Sequence, residues 1–472
     1  MVLFPLLALV LAQAAPPPQV DDVAEQIKRF TQVYAAVEAN SADSVNPDAA
    51  FYAGALPAML RQLDPHSVFL DPGQFDQLRQ MEKSERKGFG SVVSLIPGRV
   101  VVLQTLPGTP SAKAGLSPGD EILAVNNIAL GQLDFDQMVG LLGEARQRPA
   151  LIHVRRPGNI RVFQMTLTPE LMDAPSVDRA FVLRGLSTNK LGYIRVASFD
   201  EKTGKDFADA LEKLGALDGL VIDLRNNPGG VVTAAVEICS QFLEPGQRII
   251  TLKGRNKNSD EVDVPKTAKP YKFPLAVLVN GKTASASEIV SGALQDHKRA
   301  TILGEPTYGK GLVQNVFPIR NETAIVLTTA FYYTPSGRSI QRPLQDSQLG
   351  SAIENKNGGI TPDEMVYQEQ PSRLRTVIEA TVSYTQFATE FTAKHKVDET
   401  FEVSPDVLDD FKVFLSERRI QPPIGDWFKD KDRIRTRLKQ EIVTIALGVA
   451  KGDEIDVQLD TGVQRAVARL TQ

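Results

Sequence analysis

Three short apolar runs, Leu220 to Leu224, Leu275 to Val279 and Ala300 to Leu303, constrain the fold of this chain more than any other feature. Each is strand-length and nearly free of polar side chains, which predicts strands buried inside a sheet. Gly192 to Val196 supplies an earlier strand, and Thr203 to Leu214 reads as an amphipathic helix. Small residues around Ser285 open a second helix between the last two runs. This alternation of strands and helices predicts a mostly parallel sheet with crossover helices. Antiparallel strands are expected to follow at Leu312 to Ile319 and Thr323 to Tyr332.

A chain of 472 residues holds two to four domains. Residues 15–83 are expected to form a helical segment, with Val23, Ile27, Phe30 and Val33 at helical spacing. Phe51, Leu56, Met59, Leu60 and Leu63 repeat the pattern until Pro65 breaks it. Residues 84–168 change to short strands with glycine and proline turns, and residues 169–370 carry the alternation described above. Residues 371–472 are helical again, and Ile434, Leu438, Ile442 and Ile445 form an apolar stripe there. That stripe is either a packing face or a contact between copies of the chain.

Val2 to Leu11 is an apolar run followed by Ala12-Gln13-Ala14, the pattern of a leader cleaved after residue 14, although the usual basic residues are missing. About ten residues cannot span a bilayer, which takes roughly 20. No later segment is long and apolar enough to do so, so no stable membrane span is expected once the leader is gone. The net charge of −4 offers no basic surface for nucleic acid. The lone Cys239 excludes an intramolecular disulfide framework, and there is no HExxH zinc signature. No metal or cofactor is expected.

The candidate chemistry centres on Ser285 and Lys310. Ser285 follows the strand Leu275 to Val279 and a polar turn, and Lys310 lies in a glycine-flanked turn, Tyr308-Gly309-Lys310-Gly311. A serine hydroxyl needs a base to become a nucleophile, and a lysine serves if burial leaves its amine neutral near pH 7. Of the four histidines, His297 alone is close in sequence to Ser285, and twelve helical residues put it roughly 18 Å away. His66, His153 and His395 have no triad-like context.

Thr283-Ala284-Ser285-Ala286-Ser287-Glu288 and Tyr308-Gly309-Lys310-Gly311-Leu312-Val313-Gln314 resemble the carboxyl-terminal processing peptidases, extracytoplasmic Ser/Lys proteases that carry a PDZ domain. Asp223-Leu224-Arg225-Asn226-Asn227-Pro228-Gly229-Gly230 and Leu63-Asp64-Pro65-His66-Ser67 extend the likeness, which runs in family order from about residue 60 to 370. The resemblance implies Ser285 as nucleophile, Lys310 as general base and Gln314 as the residue that orients the lysine. It also implies an extracytoplasmic protein, and the leader makes the periplasm the expected location. The expected fold class is a multidomain α/β (α+β) protein: a small PDZ β-sandwich, a mixed, largely parallel protease sheet with crossover helices, and helical terminal segments.

Gly88-Phe89-Gly90-Ser91-Val92 resembles the carboxylate-binding loop and adjoining strand of a PDZ domain, and Ser111 to Asn126 matches the family's following stretch. Such a module would hold a terminal carboxylate on backbone N–H groups and pair the peptide with a free strand edge. The chain departs from the family after the PDZ helix. Leu142-Gly143-Glu144-Ala145-Arg146 replaces an Arg-Gly-x-x-Gly turn, so any contact that turn makes with the protease core is not assured here.

An oxyanion formed by attack on a peptide carbonyl needs two backbone donors. Ala286 is one candidate by position, and Gly229 or Gly230 supplies the other. Ser287 is the rival nucleophile, turned about 200° away by two helical steps. Glu288 is read as support for the helix start, and Tyr308 as a wall residue. The expected partners are protein substrates with accessible C-terminal tails, and copies of the chain meeting through terminal helices. A silent PDZ scaffold on a dead core and a non-peptide acyl hydrolase are the competing functions.

Overall fold

The structure is a computed structural model and describes the chain apart from residues 1–19, 83–84, 97, 107, 157–160, 174, 256, 321, 344–357 and 368. The expected leader lies outside the described residues. The central sheet runs in the order Val177–Leu183, Leu191–Val196, Gly219–Asp223, Leu275–Val279, Ala300–Gly304, Glu364–Met365. All neighbours are parallel except the first pair. Side chains alternate across a strand, and here both faces are buried. Leu275, Val277 and Val279 face one core with the helices Thr203–Leu214, Val232–Ser240 and Ala286–Asp296. Ala276 and Leu278 face the other, against Val463, Ala466, Val467 and Leu470 of the last helix, Thr461–Leu470. This double burial is why these strands read as continuous apolar runs.

A second, antiparallel sheet holds Leu312–Ile319 and Thr323–Tyr333, together with the hairpin Arg248–Gly254 and Lys257–Asp263. Its remaining strand, Val68–Leu70, comes from the segment expected to be wholly helical. It pairs antiparallel with Thr323–Tyr333, matching Val68 to Val326 and Leu70 to Ala324. Three residues are too few to show a period, so the helical expectation needs this correction. The helices Val20–Asn40, Leu56–Arg61 and Pro72–Glu82 do form around it.

Residues 85–173 loop out of the core between the paired strands Glu85–Gly88 and Glu170–Asp173. Within the loop lies a sheet ordered Ser91–Ile96, Arg99–Thr105, Glu121–Val125, Ala150–Arg155, Val162–Leu167. The helix Phe135–Ala145 starts with a capping box between Asp134 and Gln137. Ser91–Ile96 is the sheet edge, paired on one side only among the described residues.

The C-terminal helices Arg373–Ala380, Ser383–Thr392, Pro405–Glu417 and Ile424–Leu447 build a core of their own. Ile434, Leu438, Ile442 and Ile445 are buried in it among Phe387, Phe411 and Phe414, so this stripe is a packing face within the chain. Leu103 of the looped-out sheet packs on the same core. Exposed apolar side chains lie on the first helix, at Val23, Ile27, Phe30, Val33 and Val37, and on the C-terminal helices at Val413, Ile424 and Phe428. Among the described residues, no helix is long and apolar enough to cross a membrane.

Candidate active site

Ser285 ends the turn that leads from Leu275–Val279 into the helix Ala286–Asp296, and it adopts φ 55° and ψ −115°. A side chain at positive φ costs about 1–3 kcal/mol and survives only where its surroundings fix it. Here they do. The Ser285 N–H donates to Glu288 Oε2 at 2.8 Å, the Ala284 N–H donates to the Asn227 carbonyl at 3.0 Å, and Ser287 Oγ donates to the same carbonyl at 3.2 Å. The rival hydroxyl of Ser287 is thereby engaged, whereas Ser285 Oγ is fully buried and, among the described residues, makes no well-formed hydrogen bond. The phenol of Tyr332 is its polar neighbour, and burial pushes that phenol above its ordinary range. A buried hydroxyl without a well-formed bond is costly unless something is meant to reach it.

Glu288 joins this turn to the lysine turn. Its buried carboxylate accepts the N–H groups of Gly309 at 2.7 Å and Lys310 at 2.9 Å, and the Thr307 hydroxyl at 2.5 Å. Ser285 and Lys310 share one oxygen of that carboxylate, so their amide nitrogens lie within about 6 Å of each other. Burial raises the Glu288 pKa, and the hydrogen bonds from Thr307, Lys310, Ser285 and Gly309 oppose the rise.

Lys310 is 5% exposed. Burial lowers its pKa to about 8, opposed by the negative charges of Asp64 and Glu288. Among the described residues no carboxylate lies within 4 Å of its amine. The amine therefore gives up its proton around pH 8, well below the usual lysine range. Gln314, on the following strand, is also buried, and its amide donates to the His66 carbonyl at 2.8 Å. No hydrogen bond between Gln314 and Lys310 is present among the described residues.

The Asn-Pro-Gly-Gly turn closes the site from the neighbouring strand. Gly229 has φ 92°, and a Cβ there would meet the Ala284 carbonyl at 2.6 Å, Ser285 Cβ at 2.8 Å and the Ala286 nitrogen at 2.9 Å. Its N–H donates to Asn227 Oδ1 at 2.8 Å and is thus occupied. Gly230 packs so tightly on Phe199 that no side chain fits. Among the described residues its N–H, like that of Ala286, takes no partner.

The Leu63–Ser67 turn, which had no catalytic role in the sequence analysis, lies beside Lys310. His66 is half-buried, and its pKa falls to about 4 through burial first and the Lys310 charge second, with Asp64 opposing. A signal was present in the sequence: Asp followed by Ser three positions later is a side-chain-capped turn. Tyr308 is half exposed. Away from the site, Gly90 has φ 77°, its carbonyl accepts the Leu106 N–H at 2.8 Å, and the Phe89 carbonyl accepts the Ser111 N–H at 2.8 Å. Gly88 and Gly90 are buried, Phe89 and Ser91 are partly covered and Val92 is exposed, all beside the free edge of Ser91–Ile96. Among the described residues no cluster of His, Cys, Asp and Glu could hold a metal ion.

Residues 190–366 match the model of peptidase family S41, and residues 101–156 match a PDZ domain. The chain is 32% identical over 374 residues to a carboxy-terminal-processing protease of Bartonella bacilliformis, covering 78% of this chain and 81% of the relative. It is 33% identical over 336 residues to a carboxyl-terminal-processing protease of Synechocystis, covering 70% and 74%. Among solved structures, a photosystem II D1 C-terminal processing protease is similar at 29% identity and a TM-score of 0.41, covering 75% of this chain and 89% of that one.

Proposed function

Since the chain belongs to the carboxy-terminal-processing proteases of peptidase family S41, we propose that it cuts protein tails with Ser285 as nucleophile and Lys310 as general base. The observation that carries this reading is the Glu288 carboxylate, which ties both segments together beside a buried hydroxyl and a buried amine with lowered proton affinity. Neutral Lys310 takes the Ser285 proton as the hydroxyl attacks the scissile carbonyl. The resulting ammonium returns the proton to the leaving amine, and the acyl-enzyme is then hydrolysed by water that Lys310 activates. The N–H groups of Ala286 and Gly230 stabilise the oxyanion. Gly230 is preferred to Gly229 because Asn227 already uses the Gly229 N–H. Gln314 supports the lysine from the strand beyond it.

The PDZ domain captures the substrate's C-terminus by strand addition along Ser91–Ile96, with its carboxylate at the Gly88–Val92 loop. The leader directs the chain out of the cytoplasm, to the periplasm. Incubating the protein and its Ser285→Ala variant with an unstructured substrate tests the reading. Cleavage by the parent alone is expected. Equal cleavage, or none by either, favours a silent scaffold.

A further inference from the structure

The turn Leu63-Asp64-Pro65-His66-Ser67 touches the site without a part in the steps above. The Asp64 carboxylate is 1% exposed and is fully engaged by its own turn. It accepts the N–H groups of His66 at 2.7 Å and Ser67 at 2.9 Å, and the Ser67 hydroxyl at 2.6 Å. Ser67 Oγ in turn accepts the Thr328 N–H at 3.1 Å, pinning the turn to the strand Thr323–Tyr333. The His66 carbonyl accepts the Gln314 amide, on the strand that follows Lys310. Val68–Leu70 then continues into the same sheet. The turn is thus fixed by both strands, and its carboxylate cannot swing onto a neighbouring cation.

We propose that Asp64 is a positioning residue for the dyad: it braces the turn whose His66 carbonyl anchors Gln314, and so holds a buried carboxylate fixed on the Lys310 side of the site. The inference rests on the Ser285–Lys310 reading and deepens it. A buried amine with no counter-charge would hold its proton too weakly to return it to a leaving group. One locked in a direct ion pair would not give the proton up. A carboxylate held near the amine but occupied by its own turn lies between these extremes. The groups that act on Lys310 are Asp64, Glu288 and His66. His66 stays neutral above about pH 5, because its pKa is near 4. It therefore adds nothing to a titration in the neutral and alkaline range.

The test is the pH profile of kcat/KM for the full chain, the Asp64→Asn variant and the Ser67→Ala variant. Asparagine keeps an acceptor for both N–H groups and removes the charge. Its acid limb should move to lower pH by on the order of one unit, since Lys310 then loses its proton more easily. Ser67→Ala loosens the same turn and keeps the charge, so its limb should stay in place while the rate falls. Asp64→Ser, whose hydroxyl can cap the turn, repeats the measurement if the asparagine variant does not fold. A limb that does not move, or moves upward, in both neutral variants overturns the inference. A parent enzyme with no Lys310-dependent limb would instead defeat the dyad reading itself.

Discussion

Replacing Lys310 with methionine should make the protein more stable at neutral pH, and the gain should fade as the solution becomes alkaline. The folded lysine has a pKa of about 8 against an ordinary value of 10.5. Below pH 8 the ammonium is charged in both states, and burying it costs about 3 kcal/mol, from about 1.4 kcal/mol per pH unit of separation. Between 8 and 10.5 the unfolded chain binds more protons than the folded one, so the stability of the parent rises with pH. Above 10.5 the cost is gone. Methionine has nearly the same shape and no charge, so its stability carries no such dependence from this position. Urea unfolding of the two proteins at pH 7 and at pH 9.5 should show the methionine advantage shrinking by about 2 kcal/mol. A difference that stays constant over that range would refute the claim that a buried, charge-bearing amine sits at residue 310.

Three further changes test neighbouring parts of the site. Glu288→Gln leaves a buried NH2 facing a donor N–H at Ser285, Gly309 or Lys310, which should cost about 1–3 kcal/mol in a thermal or urea melt and reduce kcat. Gly229→Ala drives a methyl group into the Ser285 turn at a positive φ, and displacing the proposed oxyanion donors Ala286 and Gly230 should lower kcat about 10²–10³-fold in steady-state assays. Asp460→Ala removes the cap on Val463 and one of the two carboxylates that pair with Arg225, so the core should lose about 1–2 kcal/mol in a urea melt.

The parallel sheet was legible because its strands are covered on both faces. That burial removes polar residues from Leu275–Val279 and leaves a run no surface strand could carry. The edge strand Val177–Leu183 alternates exposed and half-covered residues, and its Asp and Arg hid it. The hairpin Arg248–Gly254 and Lys257–Asp263 went unread because its second strand is almost wholly polar and gives no apolar alternation to pair with the first. The last helix was read as part of a terminal helical region, but Arg225 bonds to Asp460 across 235 positions and seats that helix on the sheet. No local pattern encodes a partner so distant.

The site divides along the same line. Ser285 and Lys310 stand out in sequence because each lies in a turn with small neighbours, Glu288 follows in the first turn of the helix after Ser285, and the structure brings all three together. Which of two adjacent glycines keeps a free N–H depends on where the Asn227 side chain bonds, and sequence does not show that. The Asp64 turn meets Gln314 across 248 residues, so its place could be found only in three dimensions.

The central claim is that Lys310 activates Ser285. Labelling with a serine-directed fluorophosphonate, followed by peptide mass spectrometry across a pH series, measures that directly. Modification is expected at Ser285, with a rate that rises through about pH 8 and collapses in the Lys310→Ala variant. Labelling on another serine, or equally fast labelling of Ser285 without the lysine, would contradict it.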